Sequence, residues 1–243
     1  MKKKILKTIL VIIILLVIGI GYVIYIGVKQ GKKLANEFQE MSNLISEENI
    51  DFDSIDDILD RTVTTGDLAI FEDAFKSYFR ELFETAKKVH EVANDDKMSY
   101  LFTPENYTKD GKDFVETRNY LNTTRKTLEE CKAKINELST EEKIMSYIEN
   151  KGLNSIYIDL YKKEFAEVIV KEDFYNTVEI ALDGQILLID SSQSIIKFLV
   201  DNKENWEMQG EYIVFDNEDL TNQYNQLIDK DNELIDKING LDI

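Results

Sequence analysis

Between Thr8 and Val28 the chain runs for 21 residues, TILVIIILLVIGIGYVIYIGV, without a charge or a proline. As a helix rising about 1.5 Å per residue, this stretch reaches roughly 31 Å, close to the thickness of a bilayer's hydrocarbon core. Lys2, Lys3, Lys4 and Lys7 precede it, and Lys29, Lys32 and Lys33 follow. Tyr22 and Tyr25 lie near its exit, where amphipathic rings favour the interface. Residues 8–28 are therefore expected to form a transmembrane helix, and 1–33 a membrane anchor.

The anchor is expected to stay attached. A secretory signal has a shorter apolar run followed by a small-x-small cleavage site, whereas this run passes through Gly27 and Gly31 into Lys32 and Lys33. Lipid attachment would need a cysteine just after the run, and the sole cysteine is Cys131. The lysines bordering the span slightly favour a cytoplasmic amino terminus and an extracytoplasmic remainder.

Charge divides the chain in the same place. Residues 1–33 contain seven of the 29 basic residues and none of the 47 acidic ones, so the rest carries a net charge of −25. That charge opposes nucleic acid and anionic lipid, both of which select for clustered Lys and Arg. One cysteine excludes an internal disulfide. The excess of lysine over arginine, with abundant Ile, Asn, Asp and Glu, resembles the usage of AT-rich bacterial genomes.

Beyond the anchor the pattern is helical. Leu34, Phe38, Met41 and Ile45 form one row of a stalk helix, and Glu47–Asp53 breaks it, giving a stalk and linker over 34–53 and a folded domain over 54–243. A short helix from Ser54 to about Arg61 would be capped by Ser54 and bury Ile55, Ile58 and Leu59. From about Asp67 to Asn94 the aromatic row Phe71, Phe75, Tyr78, Leu82, with Phe79 and Phe83 beside it, predicts a core helix. No polar group between these rings is expected to orient a ligand. Asn94–Gly111, with the only proline, Pro104, reads as a loop.

Two heptad rows run from Asp113 to Leu138: Phe114, Leu121, Leu128, Ile135, and Thr117, Thr124, Cys131, Leu138. The half-polar second row suits an outer bundle helix. Ser139 and Glu142 make a capping box for the next helix, and Gly152 ends it. Leu153–Val170 gives another helix, bearing Ile156, Leu160, Tyr161, Phe165 and Val168. Residues 178–190 admit a hairpin turning at Asp183-Gly184, but unbroken helical phase from Phe174 to Leu199 favours a helix. Trp206–Phe215, centred on Gly210, reads as a small hairpin. The last helix, Glu218–Asn239, carries Leu220, Tyr224, Leu227, Leu234 and Ile238, with Asp231 in an inward slot. Its row and the stalk row are expected to pack together.

No catalytic, cofactor-binding or metal-ligating set emerges. His90 is the only histidine and lacks a glutamate one turn before it, so it reads as a core-edge residue. Cys131 reads as a buried thiol. Asp51 and Asp53 open like a calcium loop but lack its third ligand and its glycine. Asn106 and Asn122 fit the glycosylation pattern, and Gly27 with Gly31 is a weak dimerisation signal.

The sequence thus predicts an all-α chain: an N-terminal transmembrane helix, then an extracytoplasmic antiparallel helical bundle with a small β-hairpin near the C-terminus. Its expected role is a non-catalytic binding or scaffold module of the bacterial envelope, without cofactor. Its expected partners are the bilayer, through residues 8–28, and a protein or ligand at the cell surface; a homo-oligomer is compatible. The alternatives are an envelope enzyme whose carboxylates meet only in the fold, and a ligand-sensing subunit of a membrane complex.

Overall fold

The computed structural model describes residues 31–46, 50–171 and 174–239. The expected membrane span and the Gly27 dimerisation signal lie outside these residues. Among the described residues, no helix is long and apolar enough to cross a membrane.

The chain is a mostly helical bundle with one two-stranded antiparallel hairpin near its end. In order, its elements are α1 (Gly31–Ser46), α2 (Phe52–Asp60), α3 (Asp67–Asn94), α4 (Lys97–Tyr100), α5 (Pro104–Asp110), α6 (Val115–Leu138), α7 (Glu141–Ser146), α8 (Ser155–Tyr161), a π-helical turn (Lys162–Ala166), α9 (Glu167–Lys171), α10 (Phe174–Asp201), β1 (Trp206–Gln209), β2 (Tyr212–Phe215) and α11 (Glu218–Asn239). They divide into two compact units, one built from 31–90 with 131–179, the other from 91–130 with 180–239.

The first unit is organised by α3. Phe75 is its hub, with ring centroids 4.8 Å from Phe71, 4.8 Å from Tyr161, 4.6 Å from Phe165 and 6.1 Å from Phe38. Edge-to-face and tilted pairs at these spacings add to the burial of the rings themselves. The α1 row Leu34, Phe38, Met41, Ile45 is fully buried, and Phe38 packs on Phe75 and Phe79. Its partner is therefore the aromatic helix, and the expected pairing with the last helix is corrected. Aromatic side chains on α3 offer a wider apolar surface than the sparse row of α11, so the stalk row buries more area there.

Helix ends account for most of the other differences. The cap of α2 is Asp51, which accepts from the Ser54 backbone N–H at 3.0 Å and from Ser54 Oγ at 2.7 Å. The expected roles of Asp51 and Ser54 are thus exchanged. Thr140, one residue beyond the expected Ser139, caps α7 by accepting from the Lys143 N–H. Pro104 begins a helix where a loop was expected: it sits in the first turn of α5, capped by Thr103, where its missing N–H would have had no partner. Gly111 closes that helix at φ 70°. The Asp110 carboxylate then accepts from the N–H groups of Glu116 and Thr117, capping α6. All eight positions of the two heptad rows, Phe114 just before α6 and the other seven on it, are buried, including Thr117 and Thr124.

After α8 the helix widens for one turn. Tyr161, Phe165 and Ile169, four residues apart, are buried, while Ile156 and Val168, both expected inside, are exposed. A π turn takes in more than four residues, so a four-residue spacing stays in phase through it and a three-residue spacing falls outward.

The second unit settles the ambiguous segment. Helix α10 runs unbroken from Phe174 to Asp201, burying Ala181, Leu182, Leu188, Ile189, Ile195, Ile196 and Leu199. Gly184 is no turn: the Ile238 side chain lies 3.4 Å from where its Cβ would stand. Helix α11 returns antiparallel to α10, since Tyr224 stacks on Phe198 near one end and Ile238 meets Gly184 near the other. Asp231 lies between those two contacts along α11, and its Oδ1 is enclosed with no partner among the described residues.

Candidate functional site

Among the described residues, three polar groupings bear on a candidate site, and two of them are closed by the protein itself. In the first unit Glu72 is fully buried, Lys76 is 3% exposed and Glu37 6%. Lys76 Nζ bonds Glu72 Oε1 at 2.8 Å, Glu37 Oε2 at 3.1 Å and the carbonyls of Ile58 and Arg61 at 2.8 and 2.7 Å. Glu72 also accepts from the N–H groups of Val63 and Thr64 and from Thr64 Oγ1, and Arg61 Nε donates to Glu37. Burial raises the Glu72 pKa, but the bonds from Lys76, Thr64 and Val63 outweigh it and hold the carboxyl below its ordinary range. Every donor of Lys76 is used, so the cluster can fasten α1 and the 61–66 loop to α3 but cannot receive a substrate. These groups went unforeseen: Glu72 and Lys76 do lie between the aromatic rings. Their i, i+4 spacing inside an aromatic run was the available signal.

The second place joins α3, α6 and α7. Lys134 and Lys143 each pair with both Glu81 and Glu137, at 2.5 to 3.3 Å, and Lys143 lies 4.8 Å over the Tyr147 ring. Alternating charges in a closed ring neutralise one another. This ring too is a fastener.

The third place, in the second unit, is open. Trp206 pairs with Phe215 and Met208 with Ile213 on one face of the hairpin; Glu207 pairs with Val214 and Gln209 with Tyr212 on the other. The first face is seated. Trp206 Nε1 donates to the Leu199 carbonyl at 2.8 Å, its ring lies 6.1 Å from Phe114 and 6.4 Å from Tyr107, and Phe215 meets Phe198 and Tyr224. Lys112 clips the base, donating to the carbonyls of Lys203 and Trp206 at 2.7 and 2.6 Å while its ammonium lies 5.0 Å over the indole. The outer face keeps Tyr212 74% and Val214 38% exposed. A depression of about 330 Å³ opens at the edge of the hairpin, lined by Lys112, Trp206, Val214 and Phe215 together with Glu204, Glu207 and Asp216, and Tyr212 lies outside it. An aromatic floor here meets a rim of three carboxylates.

The individually weighed residues are placed elsewhere. The His90 ring stacks 5.4 Å from Phe52 at the edge of the first core. Cys131 is buried, its thiol 3.9 Å from the Thr85 carbonyl. The Asn106 amide donates to the Leu101 carbonyl and Thr117 Oγ1, and Asn122 accepts from Gln193. Among the described residues no group of three or more His, Cys, Asp or Glu is arranged to hold a metal ion. No family model, curated protein or solved structure matches the chain.

Proposed function

We propose that the chain is a membrane-anchored, extracytoplasmic, non-catalytic binding or scaffold module of the bacterial cell envelope, in which an antiparallel helical bundle presents the outer face of the hairpin to a partner. The apolar span 8–28 and its lysine borders support the anchor. The observation that carries the binding role is the hairpin depression, which combines half-open Val214 with a floor fixed by the Trp206 and Lys112 contacts, next to a strand that leaves Tyr212 exposed. Preorganised aromatic surface of this kind binds with little ordering cost.

A photo-crosslinking residue replacing Tyr212 or Val214 in native cells is expected to give a discrete adduct that the same group at exposed Glu149 does not. Equal labelling from all three positions would contradict the assignment. A second reading, an envelope enzyme, is favoured by the three carboxylates that line the same depression. In that case Glu207→Gln and Asp216→Asn would abolish turnover while leaving the adduct intact.

A further inference from the structure

We propose that the first unit rests on the bilayer by one end, with Ile156 seated among the lipid headgroups around the anchor. The inference rests on the reading of 8–28 as a membrane span and adds to it a second, peripheral lipid contact. Val28 ends the apolar run three residues before Gly31, where α1 begins. Three residues reach at most about 10 Å in any conformation, and the headgroup layer outside the hydrocarbon is itself about 5–8 Å deep. Leu34, the sixth residue past Val28, is already fully buried. The core of this unit therefore starts at the membrane surface.

The contacts fix which end that is. Helix α2 runs antiparallel to α3, since Val63 and Thr64, just past its close, bond Glu72, and Phe52 at its start meets His90. Helix α1 runs parallel to α3. Glu37 pairs with Lys76, so in the opposite direction Ser46 would fall level with Asp67, roughly 34 Å along α3 from His90; the six residues from Ser46 to Phe52 reach at most about 21 Å. Helix α8 is parallel to α3 as well: Tyr157 packs on Phe71, Tyr161 on Phe71 and Phe75, and Phe165 beyond it on Phe79. From the Glu37–Lys76 pair, Gly31 is about level with Ile70; from the Tyr157–Phe71 pair, so is Ile156. The starts of α1, α3 and α8 thus share one end, and the bilayer adjoins it.

That end suits a lipid surface. Ile156 is 71% exposed, the largest value for any Val, Ile or Leu among the described residues. The two connections beside it, 62–66 and 152–158, contain no charged residue, although the chain beyond Lys33 carries −25. No charge has to leave water when they meet headgroups, and exposed Lys32 and Lys33 at the same end match lipid phosphates.

The test uses the full chain in phosphatidylcholine vesicles, with a polarity-sensitive fluorophore attached in turn to Lys33→Cys, Ile156→Cys and Asp53→Cys. All three positions are exposed, so the core is untouched, and the native Cys131 is buried away from the label. Asp53 lies at the opposite end, beyond the length of α1, about 22 Å farther from the bilayer. The proposal expects the emission at 156 to shift to the blue and to be quenched by a nitroxide carried on the lipid headgroups, as at 33, while the label at 53 does neither. Quenching at 33 without quenching at 156 overturns the seat and leaves the anchor standing, whereas no quenching at 33 removes the anchor and the seat with it. A blue shift at 156 without quenching puts a second copy of the chain there in place of lipid, and overturns the proposal; equal quenching at 53 does the same.

Discussion

Phe75→Ala should destabilise the protein by about 3–5 kcal/mol, the usual cost of truncating a buried phenylalanine to alanine. The position is chosen for its contacts: the ring touches Phe71, Phe38, Tyr161 and Phe165, which come from α3, α1, α8 and the π turn. No single neighbour can collapse into the space without leaving another. Against the 5–15 kcal/mol that holds a typical domain folded, this is a large fraction. Thermal unfolding of the full chain in detergent should show a fall of many degrees. An unchanged melting curve would mean that this face serves a ligand or partner instead of the core.

Lys76→Ala should cost a similar amount, about 3–5 kcal/mol, through electrostatics instead of volume. Removing the ammonium leaves Glu72 fully buried and Glu37 nearly so, without the cation they share, and strips the Ile58 and Arg61 carbonyls of a donor. The penalty comes from the stranded carboxylates, so combining Lys76→Met with Glu72→Gln should recover part of it. If the single and double variants melt alike, the network contributes nothing through charge. Glu72 also sets an acid limit. Its folded pKa lies below the ordinary 4.5, so its contribution is complete above that value and is lost as pH falls through the lower folded value. The decline in stability on acidification should be shallower for Glu72→Gln than for the native chain.

Periodicity made most of the fold legible. The aromatic spacing of Phe71, Phe75 and Tyr78, the heptads of α6 and the final row from Leu220 to Ile238 each appear as the helix their spacing predicts. Local spacing does not say which row meets which. Leu34, Phe38, Met41 and Ile45 fit any apolar partner, and their seat on α3 is decided by tertiary packing that no window of sequence contains. The same limit hid Glu72 and Lys76. Charged residues read as solvated unless the loop they anchor is known, and that loop, 61–66, supplies its backbone N–H groups only once folded. Gly184 shows periodicity outweighing a local signal: a glycine after aspartate resembles a turn, yet helical phase carries through it, and it makes room for Ile238. The hairpin itself was readable from Trp206, Gly210 and Phe215, but the depression at its edge depends on Lys112, almost a hundred residues earlier in the chain.

The central claim is that a helical module is held outside the cell by residues 8–28, and protease treatment of intact, wall-stripped cells tests it most directly. The account predicts that external protease digests the chain beyond Lys33 while a cytoplasmic marker stays whole, and that the undigested protein sediments with membranes. Full protection of the residues beyond Lys33, with digestion only after the membrane is opened, would contradict it.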